Sequence, residues 1–108
     1  MSPNGGEGIT QDSVVEIRWR AWSQAGDLSE VDIAYSTEGA AGTFHRMAQA
    51  EANDGSYLWY VDPAVFSESE NYVLWIGATG APETFALSDP GLPVPADISD
   101  STFRVTGD

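Results

Sequence analysis

The chain has 108 residues, which suits one domain, and it has no cysteine, so disulfide bridges, cysteine-ligated zinc and thiol catalysis are excluded. Seventeen acidic residues face four basic ones, for a formal net charge of −13. Nucleic acid and anionic membrane surfaces are not expected as partners, because binding to either relies on cationic side chains. No apolar run approaches the roughly 18 residues that a membrane-spanning helix needs.

Six short segments alternate apolar and polar residues, which predicts half-buried β-strands. In chain order they are residues 14–22, 31–36, 43–48, 56–62, 71–78 and 101–106. Clusters of Gly, Asn and Asp separate them at residues 25–27, 38–42 and 53–55, where positive φ angles are expected. Residues 63–70 predict either a turn of helix or a crossover between sheets.

The segment of residues 79–100 holds four of the six prolines, so it cannot form a regular central strand. Loops of this length are often binding loops. We predict a proline-stiffened connection with a short edge strand near residues 85–87.

Short strands separated by turn signals predict an all-β fold, in which the whole chain, residues 1–108, forms one two-sheet antiparallel β-sandwich of about seven strands. The alternation assigns to the core the side chains of Val15, Ile17, Trp19, Val31, Ile33, Tyr35, Phe44, Trp59, Val61, Leu74, Ile76, Phe103 and Val105. Phe44 and Met47 lie three positions apart, so that a bulge is needed if both are buried.

A series of short motifs runs through nearly the whole chain. They are PNGGE (residues 3–7), IRW (17–19), VDIAYSTEG (31–39), GTFHRMA (42–48), NDGSYLWYVDP (53–63), YVLWIGA (72–78) and DISDSTFRV (97–105). In order and spacing, they resemble the fibronectin-III or immunoglobulin-like modules of the Ser-Thr-rich glycosylphosphatidylinositol-anchored membrane protein family and its bacterial extracellular relatives.

The resemblance implies an extracellular or cell-surface β-sandwich, excised from a longer multidomain protein. Fungal members of that family are linked to the assembly of cell-wall β-glucan. Bacterial members accompany secreted hydrolases and adhesins, mostly with no activity of their own, and the family offers no catalytic residues to transfer to this chain. The chain departs from the family pattern at Trp75, where a small polar or charged residue is usual.

Trp75 falls on the face of its strand that a half-buried strand turns to solvent. If this strand pairs with the second and the last predicted strands, its outward neighbours include Asp32, Ala34 and Arg104. Three interpretations stay open. The indole is covered by Arg104 or by the proline-rich connection, it contacts a neighbouring module or chain, or it forms a carbohydrate platform on which Asp32 and Arg104 hydrogen-bond the sugar.

We expect no catalysis by this chain. The single histidine, His45, lies on the weakest predicted strand with no Ser or Asp motif beside it. Carboxylate pairs such as Glu68 and Glu70 could serve as the acid and base of a glycosidase, but with seventeen acidic residues such pairs arise by chance.

Calcium is the cofactor that the sequence allows, beside the alternative of no cofactor at all. Hard cations prefer carboxylate and carbonyl oxygens in loops, which Asp97, Asp100 and Asp54 offer near turns. The competing explanation is that these side chains hydrogen-bond their own backbone in the turns. The acidity as a whole has the same two explanations, a solvated surface suited to high salt or cation binding.

The sequence therefore predicts a non-catalytic extracellular module that spaces or docks domains of a secreted or cell-surface protein. Its partners would be neighbouring domains of the same polypeptide or another surface protein. The alternative is a carbohydrate-binding module that uses an exposed Trp75 to hold a polysaccharide.

Overall fold

The computed structural model of the chain describes residues 6, 8–19, 30–52, 55–90, 92, 96–99 and 101–107. Within these residues it is all-β and contains no helix, and therefore none long and apolar enough to cross a membrane. The strands are β1 (Gly8–Thr10), β2 (Val14–Arg18), β3 (Glu30–Ser36), β4 (Phe44–Ala52), β5 (Ser56–Tyr60), β6 (Ser69–Ala78), β7 (Thr84–Phe85), β8 (Ala96–Ile98) and β9 (Phe103–Thr106).

The strands form two sheets. The large sheet has the order β1-β9-β6-β3-β4-β7, and the small sheet contains β2 and β5. Strands β8 and β9 pair with the same edge of β6, β9 with its first half and β8 with its second half. The prediction of a purely antiparallel sandwich is wrong at one pair, because β1 runs parallel to β9. This follows from the path of the chain, which leaves β1 through a turn at Gln11 and Asp12 and crosses to β2 in the small sheet. Asp12 adopts a φ of 62° in this turn.

Each predicted strand is present with shifted ends, but the described residues contain nine strands where about seven were predicted. The strand predicted over residues 43–48 extends to Ala52, and the short edge strand expected near residues 85–87 is β7. Part of the strand predicted over residues 14–22, together with the turn at residues 25–27, lies outside the described residues. The turns at Gly39 and Gly55 have the expected positive φ, 80° and 91°. Two strands were not predicted, β1 and β8, which are three residues long.

One apolar core lies between the two sheets. It confirms the alternation, because every predicted core residue except Phe44 lies in it or packs against it. Its buried members are Ile9, Ile17, Trp19, Val31, Ile33, Ala48, Trp59, Val61, Phe66, Tyr72, Leu74, Ile76, Phe103 and Val105.

The connection from β5 to β6 carries the chain from the small sheet to the large one. It is a crossover with a hydrogen-bonded turn, in which Val65 and Phe66 donate their backbone N–H groups to the carbonyl of Asp62. Phe66 then packs edge-on against Tyr35 and Trp59, with ring centroids 5.0 and 5.1 Å apart. Of the two structures predicted for residues 63–70, the crossover is therefore the observed one.

Strand β4 places Phe44 and Met47 on opposite faces. The register with β3 shifts between Val31 and Ile33 and again between Ile33 and Ala34, so that β4 contains bulges. The second bulge lets Met47 and Ala48 both pack toward the core between the sheets, whereas Phe44, three positions before Met47, packs on the opposite face by ordinary alternation. The assignment of Phe44 to the core between the sheets was therefore wrong, although its burial was predicted correctly.

A second apolar cluster covers the other face of the large sheet. The covering segment, which we define as the described residues between Thr79 and Ser99, lies over β3, β4 and β6. The cluster contains Ala34, Phe44, Val73, Trp75, Ala81 and Phe85, with Leu87, Leu92 and Ile98 packed against it. The molecule therefore has three layers, the small sheet, the large sheet and the covering segment.

Tyr72 is the buried phenol at the centre of the core between the sheets. Its side chain is fully buried, and its hydroxyl donates a hydrogen bond of 2.6 Å to the carbonyl of Ser67. Burial raises the pKa of Tyr72 to about 12, and the neighbouring Tyr35 adds to this rise. The folded state thus favours the protonated phenol, so the contribution of Tyr72 is complete below pH 10 and is lost as the pH rises toward 12.

We expect Tyr72→Phe to reduce the alkaline sensitivity of the fold. The free energy of unfolding of the wild type should fall between pH 10 and about 12, because the phenol ionises first in the unfolded chain. The variant lacks this phenol and should lose less stability over the same window. Urea denaturation at a series of pH values measures both curves, and parallel curves would contradict the prediction.

We expect Trp75→Ala to be strongly destabilising. The indole is 1% exposed, so its removal leaves a cavity, which typically costs about 3–5 kcal/mol. The matched control is Leu58→Ala, since Leu58 is 67% exposed and its loss should change stability by no more than about 0.5 kcal/mol. Chemical denaturation compares the two variants, and equal small effects would show that the indole is not packed.

Candidate functional site

The predicted ligand site around Trp75 is closed. The strand pairing was predicted correctly, because Ala34 lies directly opposite Trp75 and β6 pairs with both β3 and β9. The predicted exposure of this face is wrong, since Trp75, Ala34 and Asp32 are all buried. The ring of Phe85 meets the indole edge-on with centroids 5.0 Å apart. A sugar cannot stack on an indole that is covered in this way, and the prediction of an exposed Trp75 is wrong. Of the interpretations left open by the sequence, the structure shows the indole of Trp75 covered by the proline-rich connection.

Asp32 has a structural partner in place of a ligand. Its Oδ2 accepts hydrogen bonds from the backbone N–H groups of Gly80 and Ala81, at 3.0 and 2.9 Å. From the neighbouring strand, the Arg46 guanidinium donates to the carbonyl of Ala81 at 2.8 Å, and its backbone N–H donates to the carbonyl of Glu83 at the same distance. These bonds attach the start of the covering segment to β3 and β4.

Arg104 lies apart from the other three predicted site residues. Strand β9 pairs with the start of β6, at Ser69 and Tyr72, whereas Trp75 lies opposite Ile98 of β8. Arg104 instead lines an open groove of about 360 Å³, together with Glu68, Ser69, Glu70, Val105 and Thr106. The expected stacking of Arg104 on Trp75 is therefore wrong, because the interruption between β8 and β9 places Arg104 beside another part of β6.

The residues predicted as calcium ligands are largely beyond what the structure describes. Asp54 and Asp100 lie outside the described residues, and Asp97 is described through its backbone alone, which pairs with Ile76. Among the described residues, no group of three or more His, Asp or Glu side chains is placed to hold a metal ion. Calcium binding stays a prediction.

The exposed apolar side chains gather on the outer face of the small sheet. This face, which consists of Val14, Glu16, Arg18, Ser56, Leu58 and Tyr60, follows from the register that pairs Val14 with Tyr60, Glu16 with Leu58 and Arg18 with Ser56. Val14, Leu58 and Tyr60 are 62%, 67% and 49% exposed. Val65, in the turn that follows β5, is 58% exposed. Of the described residues, these four are the large hydrophobic side chains that are exposed to solvent.

Carboxylates border this apolar face. The hydroxyl of Tyr60 donates a hydrogen bond of 2.6 Å to Oδ1 of Asp12. That bond raises the pKa of Tyr60, and the charge of Asp62 adds to the rise. The Asp62 carboxylate, two residues after Tyr60, accepts a hydrogen bond of 2.9 Å from the backbone N–H of Ala64. Glu16 lies opposite Leu58 and forms an exposed ion pair with Arg18, at 3.8 Å. Val14, Leu58 and Tyr60 thus share the outer face with the Glu16–Arg18 pair, and Asp12 lies at the end of the face where Val14 pairs with Tyr60.

The sequence contained a signal for this face that the sequence analysis did not use. The alternation that turns Val15 and Trp59 inward turns Val14, Leu58 and Tyr60 outward. Trp75 is the largest apolar side chain on a predicted outward face, whereas a valine and a leucine at strand positions are not unusual individually. Only the paired register shows that these side chains share one surface.

Comparison of the chain with protein-family models, with curated proteins and with solved structures found no match. The resemblance to fibronectin-III or immunoglobulin-like modules therefore stays a prediction from the sequence motifs.

We expect Asp32→Ala to loosen the covering segment. The buried N–H of Ala81 would lose its acceptor, which costs about 1–3 kcal/mol. Asp32→Asn should cost less, because an amide oxygen can accept the same bonds. Glu30→Ala, at an exposed position of the same strand, is the control and should change stability by less than about 0.5 kcal/mol. Chemical denaturation and amide exchange at Ala81 measure the effect, and unchanged exchange in Asp32→Ala would contradict this role.

Proposed function

We propose that the chain is a non-catalytic β-sandwich module that docks or spaces neighbouring domains of a secreted or cell-surface protein, and that it docks through the outer face of the small sheet. The observation that carries the proposal is the concentration of exposed apolar side chains. Val14, Leu58 and Tyr60 share one face of two paired strands, and Val65 follows in the adjoining turn. Scattered apolar side chains are normal on a protein surface, but a contiguous group marks an interaction site.

The composition of the face supports docking of a protein. Aromatic and apolar side chains in the centre and polar side chains at the border are typical of protein interfaces. Tyr60 combines a ring that can be buried with a hydroxyl that already has a hydrogen-bond partner in Asp12. Contact with a partner would therefore not leave this hydroxyl without a hydrogen bond, so that burial of the ring carries no such cost.

The fibronectin-III/immunoglobulin-like class and the extracellular location belong to the same proposal. They rest on the order of the sequence motifs from Pro3 to Val105. Two packed sheets that share one core are compatible with that class. The carbohydrate-binding alternative depended on an exposed Trp75, and it is not carried further because that indole is buried.

Site-specific photo-crosslinking tests the docking face. A photoreactive phenylalanine analogue is placed at position 58 of the full-length polypeptide in its native host, and the control places it at the exposed Glu83 of the covering segment. We expect position 58 to form a discrete protein adduct, within the polypeptide or with another one, after ultraviolet irradiation. The adduct is identified by mass spectrometry of the crosslinked peptides.

The control position decides how the adducts are interpreted. Position 83 should form no adduct with the same partner peptide, because it lies on the opposite side of the large sheet from the small sheet. The docking proposal is wrong if position 58 forms no protein adduct, or if the two positions yield the same adducts.

A further inference from the structure

We propose that the outer face of the small sheet binds a protein surface that is apolar in its centre and carries arginine at its border, with one guanidinium seated on Tyr60 and Asp12. This inference rests on the proposed docking function and specifies the chemistry of the partner. Its elements are the apolar side chains of Val14 and Leu58, the Tyr60–Asp12 pair, and the carboxylates of Glu16 and Asp62.

The charge around the face is mostly acidic. Glu16, opposite Leu58, already pairs with Arg18 on the same face, whereas Asp12 is held by the Tyr60 hydroxyl and Asp62 follows Tyr60 by two residues. A partner that buries this face must take these carboxylates out of water, which is costly unless a cation pairs with them. A cationic border on the partner meets this requirement, whereas a neutral or acidic border does not.

The same charge argues against a second copy of the chain as the partner. Two copies that met through this face would bring together Asp12 and Asp62 of each copy, beside the two Glu16–Arg18 pairs, and each copy carries a formal net charge of −13. Like charges that face each other across an interface disfavour association. The occupant of the face is therefore a different surface, with the opposite charge.

The Tyr60–Asp12 pair has the form of an arginine site. The hydrogen bond from Tyr60 engages Oδ1 of Asp12, so that Oδ2 is free of that bond. The backbone N–H of Asp12 donates to the carbonyl of Val61 at 2.7 Å, which holds the carboxylate beside the ring. A guanidinium can stack on the tyrosine face and donate to the carboxylate at once, because it is planar and has several N–H donors. The ammonium of lysine cannot stack in this way.

Charge-matched peptide probes test the inference. Three fluorescent peptides alternate valine with arginine, with lysine or with glutamate, and their binding to the intact chain is followed by anisotropy at about 0.01 M ionic strength, where screening is weak. We expect the arginine peptide to bind about two- to fivefold more tightly than the lysine peptide, from stacking on Tyr60. The glutamate peptide should not bind.

Matched variants separate the face from the net charge. Asp12→Asn and Glu16→Gln should each weaken the arginine peptide by about 1.4- to 5-fold, as expected for exposed charge pairs. Glu30→Gln and Glu83→Gln remove the same charge from positions that lie away from the small sheet and should weaken it less. Tyr60→Leu keeps an apolar side chain and should abolish the preference for arginine over lysine. Asn tolerates a positive φ, so Asp12→Asn should fold, and thermal melting of every variant verifies this.

The outcomes distinguish this inference from the docking function. The inference is overturned if Glu30→Gln and Glu83→Gln weaken the arginine peptide as much as Asp12→Asn and Glu16→Gln do, or if Tyr60→Leu still prefers arginine over lysine. In that case a protein adduct at position 58 would still support the docking function. If the peptides behave as expected but position 58 forms no adduct, the docking function falls while the chemistry of the face stands. A glutamate peptide that binds as tightly as the arginine peptide overturns the inference directly.

Discussion

The fold depends on keeping both faces of strand β6 away from water. Residues 72–77 are buried without interruption, because this strand carries apolar side chains on each side. The small sheet covers one side, where Tyr72, Leu74 and Ile76 meet Trp59 and its neighbours. An irregular segment covers the other side, above Val73 and Trp75. The three layers are the direct consequence, since a sheet with one solvated face would expose the indole.

Irregular backbone can cover a sheet only if its polar groups find partners, because buried N–H and C=O groups without hydrogen bonds are costly. Asp32 and Arg46 provide such partners at the start of the covering segment, through the backbone of Ala81 and its neighbours. Two short strand pairings, of β7 with β4 and of β8 with β6, provide more. The buried Asp32 thus attaches the covering segment to β3, which explains an aspartate at a buried position of a strand.

Alternation in the sequence predicted which side chains share a face, and the core between the sheets confirms it. It could not predict what lies over the other face, because parity carries no information about a segment that is distant along the chain. Two features of the sequence pointed to the cover: the unbroken apolar run YVLWIG, which is typical of a strand buried on both sides, and Phe85 and Leu87 within a proline-rich connection. Strands β1 and β8 are too short for alternation to be detected. The bulge of β4 that brings Met47 and Ala48 to the same side depends on pairing with β3 that no local pattern specifies.

With β3, β4 and β6 covered on both sides, the outer face of the small sheet carries most of the large exposed apolar side chains among the described residues. Exposed strands with outward apolar side chains such as Leu58 favour self-association, which proteins commonly prevent with charge. The net charge of −13 and the carboxylates beside Val14 and Tyr60 oppose contact between copies of the chain. The same charges accelerate the approach of a cationic surface, since opposite charges steer association. If the face docks a partner as proposed, the same acidic side chains both disfavour contact between copies and favour a cationic partner.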